Sequence, residues 1–203
     1  MRKGTLFVIT APSGAGKTTL IDIVLRSLDT IEFSVSCTTR SRRKGEIDGK
    51  DYHFINVNTF QKVRRAGGFL EWARVFDDYY GTPKKETEKI LEEGKDIILD
   101  IDVQGASQIR KKKKDAVFIF ILPPDYKTLT KRLEKRRSDP KAEIGKRLMT
   151  ARKDAKEFRK FDYIVVNDKV EKAAKELKGI FFAERAKVSR CFQAAARIVK
   201  TFQ

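Results

Sequence analysis

The sequence predicts an α/β protein built around a mainly parallel β-sheet. Short apolar runs of strand length alternate along the chain with longer segments of helical periodicity, and this alternation is typical of parallel strands joined by helices. A glycine-rich stretch lies between the first apolar run and the first helical segment. Two polar segments interrupt the alternation, so we expect two insertions into the sheet-forming core.

Four apolar runs are predicted to be strands of that core: Thr5–Thr10, Asp96–Asp102, Ala116–Leu122 and Tyr163–Asn167. The third run stops at Pro123 and Pro124, because proline has no N–H group to donate to a strand ladder. The first helix is expected to begin inside the glycine-rich stretch and to reach Leu28. One amphipathic helix is expected to close the chain, from Val170 to about Ile198.

The two insertions differ in composition. Residues 34–85 are rich in Arg, Gly, Asp, Tyr and Phe and contain short strand-like pieces, which suits a small lobe around a polar ligand. Residues 127–160 form a helical segment dense in arginine. We therefore expect a single domain over residues 1–203. Its core would be formed by residues 1–33, 86–126 and 161–203.

Composition limits the classes of function. The chain has 203 residues, of which 40% are hydrophobic and 36% charged, and it contains no apolar run near the roughly 20 residues of a membrane span. The N-terminus lacks the pattern of a signal peptide. The only two cysteines are Cys37 and Cys191, so we expect reduced thiols and a cytoplasmic location.

The net charge of +17 has two interpretations. Lysine and arginine gain affinity for nucleic acid by displacing counterions from its phosphates, but they also surround sites for small anionic ligands. The densest basic run, Lys111 to Lys114, has no aromatic residue that could stack on a base. We predict that this run is a solvated helix end.

The glycine-rich stretch APSGAGKTT, from Ala11 to Thr19, is nearly a phosphate-binding loop. In the pattern G-x-x-x-x-G-K-[ST], backbone N–H groups and the N-terminus of the following helix surround an anion. Lys17 would supply charge to the β and γ phosphates, and the hydroxyl of Thr18 could coordinate Mg²⁺. Ala11 replaces the first glycine and adds only a methyl group at the strand exit. The nucleotide-binding residues predicted here are Ser13, Gly14, Ala15, Gly16, Lys17, Thr18 and Thr19.

A second part of such a site is an acid at the end of a neighbouring strand. Asp100 and Asp102 end an apolar run, and strand alternation would put both side chains on one face. One of them would hold the metal through its waters and the other would face the phosphate acceptor. The sequence does not decide which does which, and an aspartate after a strand is also a common helix cap.

These segments belong to a longer series. The chain contains, in order, APSGAGKTT, SVSCTTRSRRKGEIDGKDYHF, FLEWARVFDDYYGTP, ILDIDVQGA and VNDK. The series resembles the guanylate kinases over nearly the whole chain and is far more specific than the phosphate loop alone. Bacterial members of that family often carry alanine at the position of Ala11, so the resemblance implies an intact loop.

The resemblance implies a P-loop NTPase-type parallel sheet core with an inserted GMP-binding lobe over 34–85 and a helical lid over 127–160. It also implies transfer of the ATP γ-phosphoryl group to GMP, giving GDP and ADP in purine nucleotide metabolism, with Mg²⁺. GMP and ATP are then the partners, and neither a membrane nor nucleic acid is expected. The use of dGMP and the choice between monomer and homo-oligomer are left open by the sequence.

The resemblance also assigns residues to the substrate. Guanine offers N1–H and N2–H₂, two adjacent donors that the carboxylate of Glu71 would accept together, and adenine lacks that pair. Ser36 and Thr82 would add smaller contacts to the base, and Gly81 would let the chain pass close to the nucleotide. The clamp on the acceptor phosphate would consist of Arg40, Arg43, Tyr52 and Tyr80.

For the lid, the resemblance implies that Arg132, Arg136 and Arg147 close over the ATP phosphates and exclude water. Asn167 matches the position that contacts adenine. One departure concerns the lid: many relatives have glycine after the second arginine, whereas this chain has Arg137. The choice between Arg136 and Arg137 therefore stays open.

Three other functions are alternatives to a GMP kinase. A guanylate-kinase-like scaffold module would bind phosphorylated peptides, but such modules typically have eroded phosphate loops, whereas Gly16, Lys17 and Thr18 are present here. Nucleic-acid binding through the basic surface is a second alternative. A kinase of the same fold with another acceptor is disfavoured by the joint presence of Ser36, Glu71 and Thr82.

Overall fold

The computed structural model describes residues 3–75, 77–135 and 141–202. Five strands form a parallel sheet in the order β2-β7-β1-β8-β9. They are β1 (Leu6–Thr10), β2 (Ile31–Phe33), β7 (Asp96–Asp100), β8 (Val117–Leu122) and β9 (Tyr163–Val166). The α/β class with a parallel core is confirmed.

The central strand β1 explains why its sequence is an uninterrupted apolar run. All five of its residues are buried, because helices cover both faces of a parallel sheet. Phe7 and Ile9 pack into one cluster with residues from the helices near either end of the chain. Leu6 and Val8 pack into a second cluster on the opposite face.

Eight α-helices are present in the described residues. They are α1 (Lys17–Ser27), α2 (Val57–Arg65), α3 (Lys84–Glu92), α4 (Val103–Lys112), α5 (Tyr126–Glu134), α6 (Lys141–Ala155), α7 (Val170–Ala186) and α8 (Val188–Val199). Short 3₁₀ turns follow α6 and α8, at Lys156–Lys160 and Lys200–Phe202. None of the helices in this part of the chain combines the length and apolarity needed to cross a bilayer.

The first insertion forms a four-stranded sheet in the order β4-β3-β6-β5. Its strands are β3 (Cys37–Thr38), β4 (His53–Phe54), β5 (Phe69–Val75) and β6 (Asp78–Pro83). Phe60 of α2 is fully buried against this sheet, and its ring stacks on Phe69 at 4.6 Å and on Tyr79 at 5.3 Å between centroids. This aromatic stack explains why the lobe holds a core despite its polar composition.

Two predicted boundaries were wrong. The strand expected to reach Asp102 ends at Asp100, because the Asp102 side chain accepts a hydrogen bond from Gly105 N at 2.8 Å and caps α4. The single closing helix is two helices, α7 and α8. Lys187 separates them with an extended backbone, φ −58° and ψ 136°.

The basic run is a helix end, as predicted: α4 ends at Lys112, and Lys111, Lys112 and Lys114 are exposed. Two of its lysines also form specific hydrogen bonds. Lys112 Nζ donates to Leu70 O at 2.6 Å, and Lys113 Nζ donates to Glu88 Oε1 at 2.7 Å. These lysines join the core to the inserted lobe and to α3.

Candidate active site

A cleft of about 750 Å³ lies where the carboxyl ends of β1 and β7 face the inserted lobe. This edge of an open parallel sheet is the usual place for a ligand site. Most of the site residues predicted from the sequence line this cleft. They are Ser13, Gly14, Ala15, Gly16, Lys17, Thr18, Thr19, Ser36, Arg40, Arg43, Tyr52, Glu71, Tyr80, Asp100, Asp102 and Arg147.

Four of the nominated residues that the structure describes do not line the cleft. Gly81 and Thr82 are buried in the lobe behind it, and Arg132 and Asn167 contact the phosphate loop from its other side. Arg136 lies outside the described residues, as does its alternative Arg137.

The phosphate loop depends on two glycines in the left-handed region. Gly14 has φ 87° and Gly16 has φ 90°, values that other residues rarely adopt. Gly16 is the N-cap residue of α1, and the first turn of this helix contains no acid. The positive end of the helix faces the cleft. The methyl group of Ala11 packs against the apolar cluster beside β1, which explains how the loop accommodates alanine there.

Asp100, the last residue of β7, and Asp102, the N-cap residue of α4, make different contacts. Lys17 Nζ forms an ion pair with Asp100 and donates to Ile101 O at 3.4 Å. The Asp102 carboxylate instead accepts hydrogen bonds from Gly105 N and from Gln104 Nε2. Asp100 is therefore the acid opposite Lys17, and Asp102 serves as a helix cap at the same cleft.

The oxygen ligands that the cleft offers are compatible with Mg²⁺. In the described part of the chain, no three histidine, cysteine or acidic side chains form a group that could hold a metal. Mg²⁺ does not need one, since it usually keeps several waters and binds through one or two carboxylates and the substrate phosphates. The Thr18 hydroxyl and the Asp100 carboxylate both line the cleft and could supply such ligands.

Glu71 is a buried carboxylate at the lobe side of the cleft. Its side chain is 3% exposed, and Thr82 Oγ1 donates to its Oε1 at 2.6 Å. Burial raises the pKa of Glu71 to about 7, with a further increase from the charge of Asp102 and an opposing effect of the Thr82 hydrogen bond. Thr82 thus holds Glu71 in place from behind.

Gly81 meets a packing requirement. A Cβ atom at Gly81 would lie 3.0 Å from the Phe69 ring and 3.2 Å from Phe60. That Gly81 lets the chain pass close to the nucleotide, as the resemblance implies, stays a prediction. The glycine lets β6 approach the aromatic stack of the lobe.

Arg40 and two tyrosines form a second polar group on the lobe. The Arg40 guanidinium lies 5.5 Å from the centroid of the Tyr52 ring, and the Tyr52 and Tyr80 rings are 5.8 Å apart in an edge-to-face arrangement. Burial, together with the charge of Asp100, raises the pKa of Tyr52 to about 12. Its phenol is therefore a hydrogen-bond donor at neutral pH.

Glu46 is a functional candidate that the sequence analysis missed. Its Oε1 accepts from Arg40 Nη2 and its Oε2 accepts from Arg43 N, both at 2.7 Å. The hydrogen bond from Arg40 lowers the pKa of Glu46 despite partial burial. An acid directly after the basic run SRRKG was the available signal.

The second insertion contributes Arg147 and Asp154 to the cleft. Arg147 on α6 is 9% exposed, and it lines the cleft together with Asp154 from the same helix. Burial and the charge of Asp102 raise the pKa of Asp154 to about 6, against the opposing charge of Lys17. No sequence motif distinguished this aspartate from its neighbours.

Arg132 and Asn167 support the phosphate loop. Arg132 donates to Ala15 O at 3.3 Å and to Asn167 O at 2.9 Å, and Asn167 Nδ2 donates to Ala15 O at 2.8 Å. A Cβ atom at Gly16 would overlap Asn167 Nδ2. Both side chains therefore act on the loop backbone in this structure.

Comparison with known proteins agrees with the geometry of the site. The guanylate kinase family model matches residues 3–184. Guanylate kinase of Thermotoga maritima is 50% identical over 188 residues, 93% of this chain and 91% of the relative. That of Clostridioides difficile is 44% identical over 190 residues, 94% and 93% of the two chains. A crystal structure of guanylate kinase from Anaplasma phagocytophilum, 33% identical, aligns with a TM-score of 0.79 over 93% of this chain and 90% of that one. The chain belongs to the guanylate kinase family.

Proposed function

We propose that this chain is an ATP:GMP phosphotransferase, which moves the γ-phosphoryl group of ATP to GMP and releases ADP and GDP. The observation that carries the proposal is that two anion-binding groups share one cleft. The phosphate loop, with Lys17 at the start of α1, lies on the core, and Arg40 with Tyr52 and Tyr80 lies on the lobe. A buried carboxylate, Glu71, completes the lobe side.

Glu71 would select the base. The ionised carboxylate accepts N1–H and N2–H₂ of guanine, and Thr82 fixes its orientation through the 2.6 Å hydrogen bond. AMP offers no such donor pair, so its binding would leave a buried carboxylate poorly satisfied. A site built around such hydrogen bonds can discriminate by several orders of magnitude.

Arg40, Arg43, Tyr52 and Tyr80 would bind the phosphate of GMP. Arginine suits this role because its planar guanidinium can donate to two oxygens and stays charged. Glu46 pre-orients the clamp, since it holds the Arg40 side chain and the backbone at Arg43. We assign residues 34–85 to GMP binding on this basis.

Phosphoryl transfer would depend on alignment and on charge neutralisation. Lys17 and the loop N–H groups would hold the donor triphosphate, while Arg147 would approach it from α6. Thr18 and Asp100 would hold Mg²⁺, which neutralises charge on the phosphate oxygens. We assign residues 127–160 to the lid over the donor, with Arg136 or Arg137 as a further phosphate contact and Arg132 acting through the Ala15 carbonyl.

An assay with four acceptors tests the proposal. ADP release from ATP is measured with GMP, AMP, UMP and CMP, with and without Mg²⁺. We expect Mg²⁺-dependent turnover with GMP and very little with the other three. Absence of turnover with GMP would leave a phosphopeptide-binding module as the better explanation. Turnover with a different acceptor would contradict the role of Glu71.

A further inference from the structure

One face of α4 contacts three consecutive residues of β5. Gly105, Gln108 and Lys112 are spaced by three and four residues, so they lie on the same side of the helix. Opposite them are Leu70, then Glu71 and Trp72, the segment that carries the buried carboxylate.

The side-chain amide of Gln108 forms two hydrogen bonds with the backbone of Trp72. Trp72 N donates to Gln108 Oε1 at 3.3 Å, and Gln108 Nε2 donates to Trp72 O at 2.6 Å. β5 is the last strand of its sheet, so its outer edge has no strand partner. The amide of Gln108 supplies there the donor and acceptor that a neighbouring strand would supply.

The contact falls where the strand pairing is irregular. Pairing between β5 and β6 shifts register between Phe69 and Trp72, and Glu71 lies inside that irregularity. A bulge of this kind re-aims a side chain and leaves the local ladder incomplete. The backbone around Glu71 therefore depends on contacts other than β6 for its position.

The other two α4 residues complete the contact. Lys112 Nζ donates to Leu70 O at 2.6 Å, on the opposite side of Glu71 from Gln108. A Cβ atom at Gly105 would overlap Glu71 Oε2, so the bare glycine leaves the space that the carboxylate occupies. The helix thus fixes the backbone on either side of Glu71 and bounds its side chain.

We propose that Gln108 is a positioning residue for guanine selection, because its paired hydrogen bonds to Trp72 hold the Glu71 carboxylate in line with the two donors of guanine. The proposal rests on the proposed function, since it assumes that Glu71 binds the base. It assigns specificity to a helix of the core that does not itself touch the base.

The test compares GMP with IMP. Hypoxanthine retains N1–H but lacks the exocyclic amine, so it reports whether the carboxylate still engages both donors. Gln108→Met keeps the length of the side chain and removes both hydrogen bonds. We expect it to raise KM for GMP about tenfold, the effect of losing roughly one charged hydrogen bond in the complex. The ratio of GMP to IMP affinity, measured by calorimetry, should fall by a similar factor.

Two further variants separate positioning from folding. Gln108→Glu retains the acceptor for Trp72 N and should restore part of the lost GMP selectivity. Ser107→Ala changes an exposed neighbour on α4 and should match the wild type in every measurement. KM for ATP, kcat at saturating GMP and the melting temperature are recorded for each variant.

The outcomes are distinct. If the wild-type chain fails to phosphorylate GMP, the proposed function fails. If the wild type is active and Gln108→Met keeps its GMP/IMP ratio, the positioning role is overturned. The same holds if KM for ATP rises in parallel with KM for GMP, or if the variants lose only thermal stability, because a purely structural residue would do that. Should Gln108→Met not fold, an unchanged GMP/IMP ratio in Gln108→Glu overturns the proposal by itself.

Discussion

Glu71 is the residue whose environment most strongly departs from that of an exposed side chain. Its burial beside Thr82 raises its pKa from 4.5 to about 7. Below that value the free protein carries a protonated carboxyl group, which presents a donor where guanine also presents donors. In the proposed role of Glu71, the carboxylate that is ionised above this pH would accept both donors, so ionisation and GMP binding would favour each other.

We therefore predict that GMP affinity increases as the pH rises through about 7 and levels off about one pH unit higher. Calorimetric titration of GMP from about pH 6 to about pH 8 measures this. Glu71→Gln should weaken GMP binding by roughly 10- to 100-fold, because it removes a charge-assisted hydrogen-bond pair. The variant also provides the control, since the phosphate of GMP titrates in the same range. An identical pH profile in both proteins would contradict the role of Glu71.

At the scale of single residues, contacts within a short segment could be predicted and contacts between distant segments could not. The phosphate loop could be predicted because all its parts lie within nine consecutive residues. Arg132 and Asn167 were assigned to the nucleotide, yet their side chains bond to the carbonyl of Ala15. Those contacts span more than 100 residues of sequence, and no local pattern encodes them.

At the scale of elements, β7 links the two ends of the sheet. Its last residue, Asp100, lies in the cleft, and its first, Asp96, is buried at the opposite edge. Asp96 Oδ1 accepts from Thr5 N and Oδ2 accepts from Arg185 Nε, both at 2.7 Å. One carboxylate therefore joins β7 to the segment before β1 and to α7.

We predict that Asp96→Ala lowers the free energy of unfolding by about 3 kcal/mol, because it leaves a half-buried arginine and a buried N–H group without this partner. Urea denaturation followed by circular dichroism measures the loss. Asp77→Ala changes an exposed acid, whose ion pair with Arg74 is solvated, and should cost little. Turnover per folded molecule should be unchanged in Asp96→Ala, since the residue is remote from the cleft. A change below about 1 kcal/mol would contradict the anchoring role.

Element boundaries were harder to predict than the elements themselves. Each predicted core strand exists, because fully buried parallel strands are continuous apolar runs. The apolar periodicity continues from α7 into α8, so it gave no sign of the break at Lys187. At that break the buried carboxylate of Glu184 pairs with Lys187, three residues later, and accepts a hydrogen bond from Tyr163 of β9, a tertiary contact that no local pattern reveals.

At the scale of the whole molecule, the fold class could be predicted from the sequence, but the packing contacts between distant segments could not. The alternation of apolar runs with helical segments predicted the parallel core, but the strand order β2-β7-β1-β8-β9 was not predicted. The requirement for glycine at position 14 has two causes, the positive φ and the Leu133 side chain, which would lie 2.9 Å from an added Cβ. Only the first is visible in the loop sequence. The second depends on how α5 packs over the loop.

The proposed division into a core that binds the donor and a lobe that binds the acceptor predicts that GMP binding and turnover can be lost separately. Lys17 belongs to α1 of the core and pairs with Asp100, whereas Glu71 belongs to β5 of the lobe. Lys17→Ala should reduce kcat by about 100- to 1,000-fold, the usual cost of removing one donor that stabilises transferring charge. Binding of GMP, measured by calorimetry without ATP, should stay near the wild-type value because the lobe keeps its contacts.

Lys175→Ala, an exposed lysine of α7, serves as the matched control and should change neither quantity. Parallel loss of GMP binding and turnover in Lys17→Ala would mean that the two halves of the cleft do not bind their ligands independently. The carboxylate of Asp100, which has lost its ion pair with Lys17, would then explain the weaker GMP binding, because it lies in the same cleft as Arg40 and Tyr52. Lys17→Ala combined with Asp100→Asn would identify it by restoring GMP binding without restoring turnover.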